Sequence, residues 1–344
     1  MRRRRKDLET LIACLRGEPP GKADWAAVFE IANRTLLTPA LFDALTRSSQ
    51  FNGIPDEARA YLEFIHGRNA ERNARLRAQL IEAVGQLNSA GIEPTLLKGA
   101  VRLFCDPDER LGSRMTKDLD LSVEDHEGAA ANACLFAIGY RDAVETRGMG
   151  RPQDVGILEL RQQPRAASAA YLPREHEKPS RVLERAGVRA RIPSAESRAL
   201  HWIVHDLIKE GDYWRGCIDI RHLYDLFELT RTERDLDWRH LWSIMPDRLG
   251  RNVIETQLLT LHSFFGVDMP PGMESGGIAH LQHWRRAFAA MHPVAGAPLR
   301  LAGDIAWGMR RMGTFDKLAR RGFVDFARKV CWTLTGGMRE YTKL

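Results

Sequence analysis

Hydrophobic and polar positions repeat along this chain with two different periods, and the changes of period divide it. Leu8, Leu11, Ile12 and Leu15 recur at helical spacing before Pro19-Pro20-Gly21 breaks the run. Asp24 suits an N-cap for a second helix carrying Trp25, Val28, Phe29 and Ile31. Thr38-Pro39 suits the start of a third, through Leu41, Phe42 and Leu45. From Pro55-Asp56 a stretch with few breakers runs to about residue 89, with apolar positions Tyr61, Leu62, Phe64 and Ile65, then Leu76, Leu80, Ile81, Val84 and Leu87. Its arginines, such as Arg68, Arg72, Arg75 and Arg77, read as a solvated face, because no aromatics are interleaved as a nucleic-acid stripe would want.

The period then shortens. Residues 95–97 read as a strand, residues 100–105 as a helix, and residues 118–123 as a strand of strict alternation. Glu124-Asp125 can open a helix that ends at Gly139, followed by a polar strand or hairpin arm from Tyr140. Gly148, Gly150 and Pro152 mark a turn, and residues 157–161 alternate again, with Leu158 and Leu160 toward the core and Glu159 and Arg161 opposite. Residues 164–192 lack apolar periodicity and read as a long loop.

From Pro193 the helical period returns. Ser194 opens a helix through Leu207, and residues 213–229 read as the next. Further amphipathic segments cover residues 241–245, 253–265, 278–291, 299–312 and 323–334. The expected architecture is α+β, a small mixed sheet flanked by N-terminal and C-terminal helical regions. The expected boundaries are residues 1–90, 91–192 and 193–344.

Composition changes this picture little. The 344 residues carry 44% hydrophobic and 28% charged residues, ordinary for a soluble globular chain. The formal net charge of +6 suits polyanionic substrates without demanding them; nucleic acid is permitted but not indicated. The basic start, Arg2 to Lys6, reads as a frayed, solvated terminus, and no apolar h-region follows it. Five scattered cysteines suggest neither a disulfide framework nor a zinc knuckle, so a reducing cytoplasm is the expected compartment. No apolar run approaches the roughly 20 residues that span a bilayer, so no membrane partner is expected.

The candidate chemistry sits in residues 95–123. Asp118, Asp120 and Ser122 share one strand face, while Leu119, Leu121 and Val123 share the other. Two carboxylates on one face repel unless a divalent cation lies between them, and Mg²⁺ prefers oxygen ligands. Gly99 permits close backbone approach to a ligand. The bland reading of the acid pair is a solvent-facing edge strand.

Leu97-Lys98-Gly99-Ala100, followed by Arg114 and the Asp118-Leu119-Asp120-Leu121 run, resembles the uncharacterised nucleotidyltransferase-like family of the DNA polymerase β-type superfamily. The resemblance covers about residues 20 to 230. It implies nucleotidyl transfer from a nucleoside triphosphate to an acceptor hydroxyl or phosphate on a small molecule, peptide or protein. It also implies two Mg²⁺ ions, or Mn²⁺ in their place. Carried over, Asp118 and Asp120 are metal ligands and catalytic. Glu159 is the third acid, a further metal ligand and catalytic residue that helps deprotonate the acceptor hydroxyl, and Asp154 is its fallback. Lys98, Gly99, Ala100 and Arg114 meet the nucleotide, and Lys209 and Trp214 are further nucleotide-binding candidates in the helical continuation. Ala100 stands where the superfamily turn has Ser, and Glu159-Leu160-Arg161 stands where the family tends to Asp-hydrophobic-His. Those departures support one alternative, a non-catalytic nucleotide-binding module; a second alternative is a biosynthetic or toxin–antitoxin partner protein that retains the fold. His201 and His205, four apart, read as the polar face of a helical lid, since no third ligand is evident.

Overall fold

A computed structural model describes residues 2–143, 148–161, 170–172, 180–233, 236–313 and 343. The chain divides into two compact units. One comprises Gly17–Pro19 and Leu37–Arg198; the other comprises Met1–Arg16, Pro20–Leu36 and Ala199–Leu344.

The first unit is built on a mixed sheet. Its strands are β1 (Thr95–Leu96), β2 (Asp118–Ser122), β3 (Arg141–Asp142), β4 (Met149–Gly150), β5 (Ile157–Arg161), β6 (Arg181–Arg185) and β7 (Val188–Ile192). They lie in the order β3-β4-β5-β2-β1-β7-β6. β2 runs parallel to β5 and antiparallel to β1, and β1 runs parallel to β7. The acid-bearing β2 is therefore a central strand and not a solvent-facing edge. Its Leu119 and Leu121 are fully buried, in one core with Leu96, Phe104, Leu135, Leu158, Ala190 and Ile192.

The β6–β7 hairpin corrects the reading of residues 164–192 as loop. Val188, Ala190 and Ile192 do alternate, but the intervening arginines lower the apolar signal. The turn lies at Ala186-Gly187, both with positive φ, a conformation that glycine tolerates and that matches the strand twist of a tight hairpin. Gly150, expected in a turn, lies in β4.

Helices α3 (Thr38–Arg47), α4 (Asp56–Ser89), α5 (Gly99–Cys105) and α6 (Gly128–Ala137) belong to the same unit. α4, at 34 residues, spans about 50 Å. Its apolar residues Leu76, Leu80, Ala83, Val84 and Leu87 enter the sheet core, while Phe64 is exposed.

The polar face of α4 is not simply solvated. Asn69 donates to Gly112 O and Arg114 O, and Asn73 to Leu111 O and Arg114 O. Arg72 donates to the carbonyls of Thr116, Lys117 and Val155. Arg77 is buried, bonding Leu103 O, Asp106 O and the Asp108 carboxylate. Arg68 and Arg75 remain exposed, as expected. Buried side-chain donors are thus matched to backbone acceptors that would otherwise be orphaned. They fix the loop that delivers the chain into β2.

The second unit is helical: α1 (Arg2–Arg16), α2 (Trp25–Arg34), α7 (Ala195–Ile203, entering the unit at Ala199), α8 (Asp212–Arg215), α9 (Ile220–Thr232), α10 (Trp238–Ser243), α11 (Arg248–Phe265), α12 (Gly277–Met291) and α13 (Ala297–Gly313). The basic start opens α1, with Arg5 and Lys6 solvent-exposed as expected and Arg5 paired to Glu9 at 2.7 Å. Asp24 caps α2 as expected. After α7 the helix widens into a π-helical segment, Val204–Lys209. The expected helix over residues 213–229 is two, because Gly216 adopts φ +76° and ends α8. The segment 323–334 lies outside the described residues. Among the described residues, no helix is long and apolar enough to cross a membrane, and Cys105, Cys134 and Cys217 are free thiols.

Candidate active site

Parallel pairing of β2 with β5 sets the geometry. Asp118 stands opposite Ile157, Asp120 opposite Glu159 and Ser122 opposite Arg161. Paired residues on neighbouring strands share a face, so Asp120 and Glu159 lie side by side. Asp120 is 1% exposed, while Asp118 and Glu159 are half-buried.

Three cations meet these acids. Lys98 Nζ lies 3.1 Å from Asp120 Oδ1. Arg161 Nη2 lies 2.5 Å from the same oxygen and 2.7 Å from Glu159 Oε2. Arg72, held by the carbonyls before β2, feels the charge of Asp118. Burial nonetheless pushes the Asp120 carboxyl up from its ordinary value, against Lys98 and Arg161 and with the help of the Asp118 charge.

Asp120 Oδ2 is buried with no hydrogen-bond partner among the described residues. A buried, unpaired carboxylate oxygen is costly, and a bound cation removes that cost. Together with Asp118 on the same face and Glu159 beside it, this oxygen-only donor set fits Mg²⁺ or Mn²⁺.

Lys98 carries backbone strain. Its φ of +47° with ψ −119° is a region that side chains with a Cβ rarely adopt, and it immediately precedes α5. The strain sits on the residue whose ammonium reaches Asp120. Gly99 follows it, and the space a Cβ would take there is filled by Arg114 Nη1 at 2.7 Å and Thr116 Cγ2 at 2.8 Å. The expected open approach to Gly99 is thus occupied by the chain itself, and Arg114 stands at the turn. Ala100 is fully buried in α5, its N–H donating to Leu97 O at 3.0 Å.

Asp154, the fallback acid, is committed elsewhere. It takes two bonds from Arg151, at 2.9 and 3.0 Å, and Arg151 also pairs with Glu82 and covers the Tyr140 ring.

Lys209 and Trp214 lie in the helical unit, not in the unit that carries the acids. Lys209 is exposed at the end of the π-helical segment. The Trp214 ring stacks on Trp307 at 5.0 Å and has the Arg310 guanidinium 4.6 Å from its centroid, so its ring contacts are already made within the chain.

That unit also holds a cluster the sequence reading missed. Asp206 is buried and accepts from His222 Nδ1 at 2.9 and 3.1 Å and from His205 Nδ1 at 3.0 Å. His205 and His222 are the pair that geometry joins, not His205 and His201 alone. Their ligand atoms lie within 4.8 Å of one another, the one such trio among the described residues. Burial would raise the Asp206 carboxyl, but the charge of His222 and the two imidazole hydrogen bonds more than reverse that and hold it well below its ordinary value. His222 Nε2 lies 3.1 Å from Arg221 Nη2, which only donates. In the neutral imidazole, His222 Nε2 therefore accepts and Nδ1 carries the proton. A metal on Nδ1 would force the proton onto Nε2, facing Arg221. The cluster reads as hydrogen-bonded imidazoles around a buried carboxylate.

The fold and the acid-bearing strand pair define a class: an α+β nucleotidyltransferase fold with flanking helices. The chain belongs to the family described as uncharacterised nucleotidyltransferase, whose family model matches residues 21–266. No curated protein and no solved structure matches the chain.

Proposed function

We propose that this protein transfers a nucleotidyl group from a nucleoside triphosphate to an acceptor hydroxyl or phosphate on a small molecule, peptide or protein, with Mg²⁺ or Mn²⁺ bound at its acid pair. The observation that supports this most is the side-by-side register of Asp120 and Glu159 on the face that also carries Asp118. Family membership supports the reaction class.

In this reading Asp118 and Asp120 hold the cation, using the Asp120 oxygen that has no partner. When bound, the cation supplies neutralisation of charge on the reacting phosphoryl oxygens. Glu159 takes the proton from the acceptor hydroxyl; its place beside Asp120 keeps it near the reacting atoms without being needed to hold the nucleotide. Lys98 and Arg114 bracket the turn at Gly99 and meet phosphate oxygens by charge-assisted hydrogen bonds.

The test is a screen of the four nucleoside triphosphates with Mg²⁺ or Mn²⁺, using cell extract as acceptor source and reading pyrophosphate release. Release that Glu159→Gln abolishes supports the reading. Binding without release, in every combination, favours a non-catalytic nucleotide-binding module instead. The Arg161–Asp120 ion pair is compatible with such a module.

A further inference from the structure

The cation that the acids meet in this structure is the chain's own. Arg161 follows Glu159 by two residues on the same strand face and bridges Asp120 Oδ1 and Glu159 Oε2 through a single nitrogen, Nη2. Its Nε and Nη1 make no hydrogen bond among the described residues. Its side chain is 29% exposed, against 14% for Lys98, which shares Asp120 Oδ1. Lys98 is held on a strained backbone, whereas Arg161 ends a strand and keeps most of its donor fork unused.

Two facts follow from elementary electrostatics. A divalent ion approaching Asp120 meets Arg161 and Lys98 within a few ångströms of its ligands, and like charges at that range repel strongly in a part-buried site. A guanidinium, by contrast, presents a planar fork that suits phosphate oxygens, with weaker hydration than an ammonium. A triphosphate arriving with the metal offers Arg161 a new anionic partner and removes the repulsion at the same moment.

We propose that Arg161 is a two-position residue: it pairs with Asp120 and Glu159 when the site holds no ligand and turns to the triphosphate when metal and triphosphate enter together. This rests on the nucleotidyl-transfer reading above. The site then resists free metal and favours the metal–triphosphate complex. By reciprocity each ligand strengthens the other.

The experiment uses the full chain and two probes: Mn²⁺ alone, followed by electron paramagnetic resonance, and inorganic tripolyphosphate with Mg²⁺, followed by calorimetry. Arg161→Met removes the charge and keeps most of the length. It should bind Mn²⁺ alone about tenfold or more tightly than the wild type, the scale on which one close opposite charge shifts a carboxylate. It should bind tripolyphosphate with Mg²⁺ about tenfold or more weakly. Arg161→Lys should return both affinities toward wild type. Arg161→Gln serves the same two measurements if the Met variant does not fold.

Opposite signs are the signature of a charge that opposes the metal and serves the triphosphate, because a pair that only maintains the fold moves both affinities together or neither. Unchanged or weakened Mn²⁺ binding in the charge-removed variants overturns the two-position role alone, provided the wild type still binds Mn²⁺ with the triphosphate analogue. Tightened Mn²⁺ binding that survives adding Asp120→Asn also overturns it. If neither the wild type nor any variant binds Mn²⁺ with or without tripolyphosphate, the acid-pair reading falls, and this role with it.

Discussion

Asp120 and Glu159 are direct neighbours across the parallel β2–β5 ladder. One is buried and the other half-buried, and a single arginine nitrogen bridges them. Neighbouring acids in unlike surroundings suit unlike roles.

Glu159→Gln should therefore separate binding from chemistry. The variant keeps triphosphate affinity within a few-fold but loses about 10²–10⁴ in transfer rate, the usual worth of general-base assistance. Single-turnover transfer beside equilibrium binding checks this. Transfer at the wild-type rate would remove Glu159 from the mechanism.

Gly99→Ala should destabilise the sheet unit, because its Cβ would overlap Arg114 Nη1 and Thr116 Cγ2. Overpacking of this kind costs about 1–3 kcal/mol. Thr116→Ser removes the offending methyl, so the double variant should recover part of the loss. A denaturation cycle over the four proteins measures the coupling, and strict additivity would place the crowding elsewhere.

Lys98 offers a comparison that its positive φ inverts. Lys98→Gly and Lys98→Ala both lose the ammonium that reaches Asp120, yet only alanine keeps a Cβ in the strained region. The glycine variant should be the more stable by about 1 kcal/mol or more. Equal stabilities, or alanine ahead, would show that the backbone relaxes freely once the side chain is gone.

Much of the sheet and its acids was legible in the sequence, because alternation in residues 118–123 and 157–161 has no other physical reading. Leu119, Leu121 and Leu158 are buried as that alternation requires. The β6–β7 hairpin was not legible, since Arg181 and Arg185 stand on its apolar face, opposite Ile192 and Val188. Nor were the contacts of Asn69, Arg72, Asn73 and Arg77. A polar side chain that bonds a distant carbonyl looks, in sequence, like one that faces water. The Asp206 cluster depends on His222, 16 residues further on, with left-handed breaks at Gly211 and Gly216 between them.

Asp212 provides a pH test in the helical unit. Burial raises its carboxyl to about 6, despite Lys343 at 2.8 Å and Arg215, and the Asp206 charge adds to the rise. The folded form thus binds a proton more tightly than the unfolded chain, whose carboxyl titrates near 3.9. Stability from this group is full below that lower value and is lost as pH rises through about 6. Asp212→Asn has no such titration. Its melting temperature relative to wild type should climb as pH rises across that window and level off above it. A constant offset at every pH would show that Asp212 stays ionised throughout.

The most direct measurement is calorimetry of the wild type, Asp118→Asn, Asp120→Asn and the double variant with each of the four nucleoside triphosphates in Mg²⁺. The account predicts that the wild type binds at least one of them with a requirement for the metal. Each single substitution should weaken that binding, and the double substitution should abolish it while the protein stays folded. Unchanged affinity in the double variant, or a wild type that binds none of the four with Mg²⁺ or Mn²⁺, would contradict it.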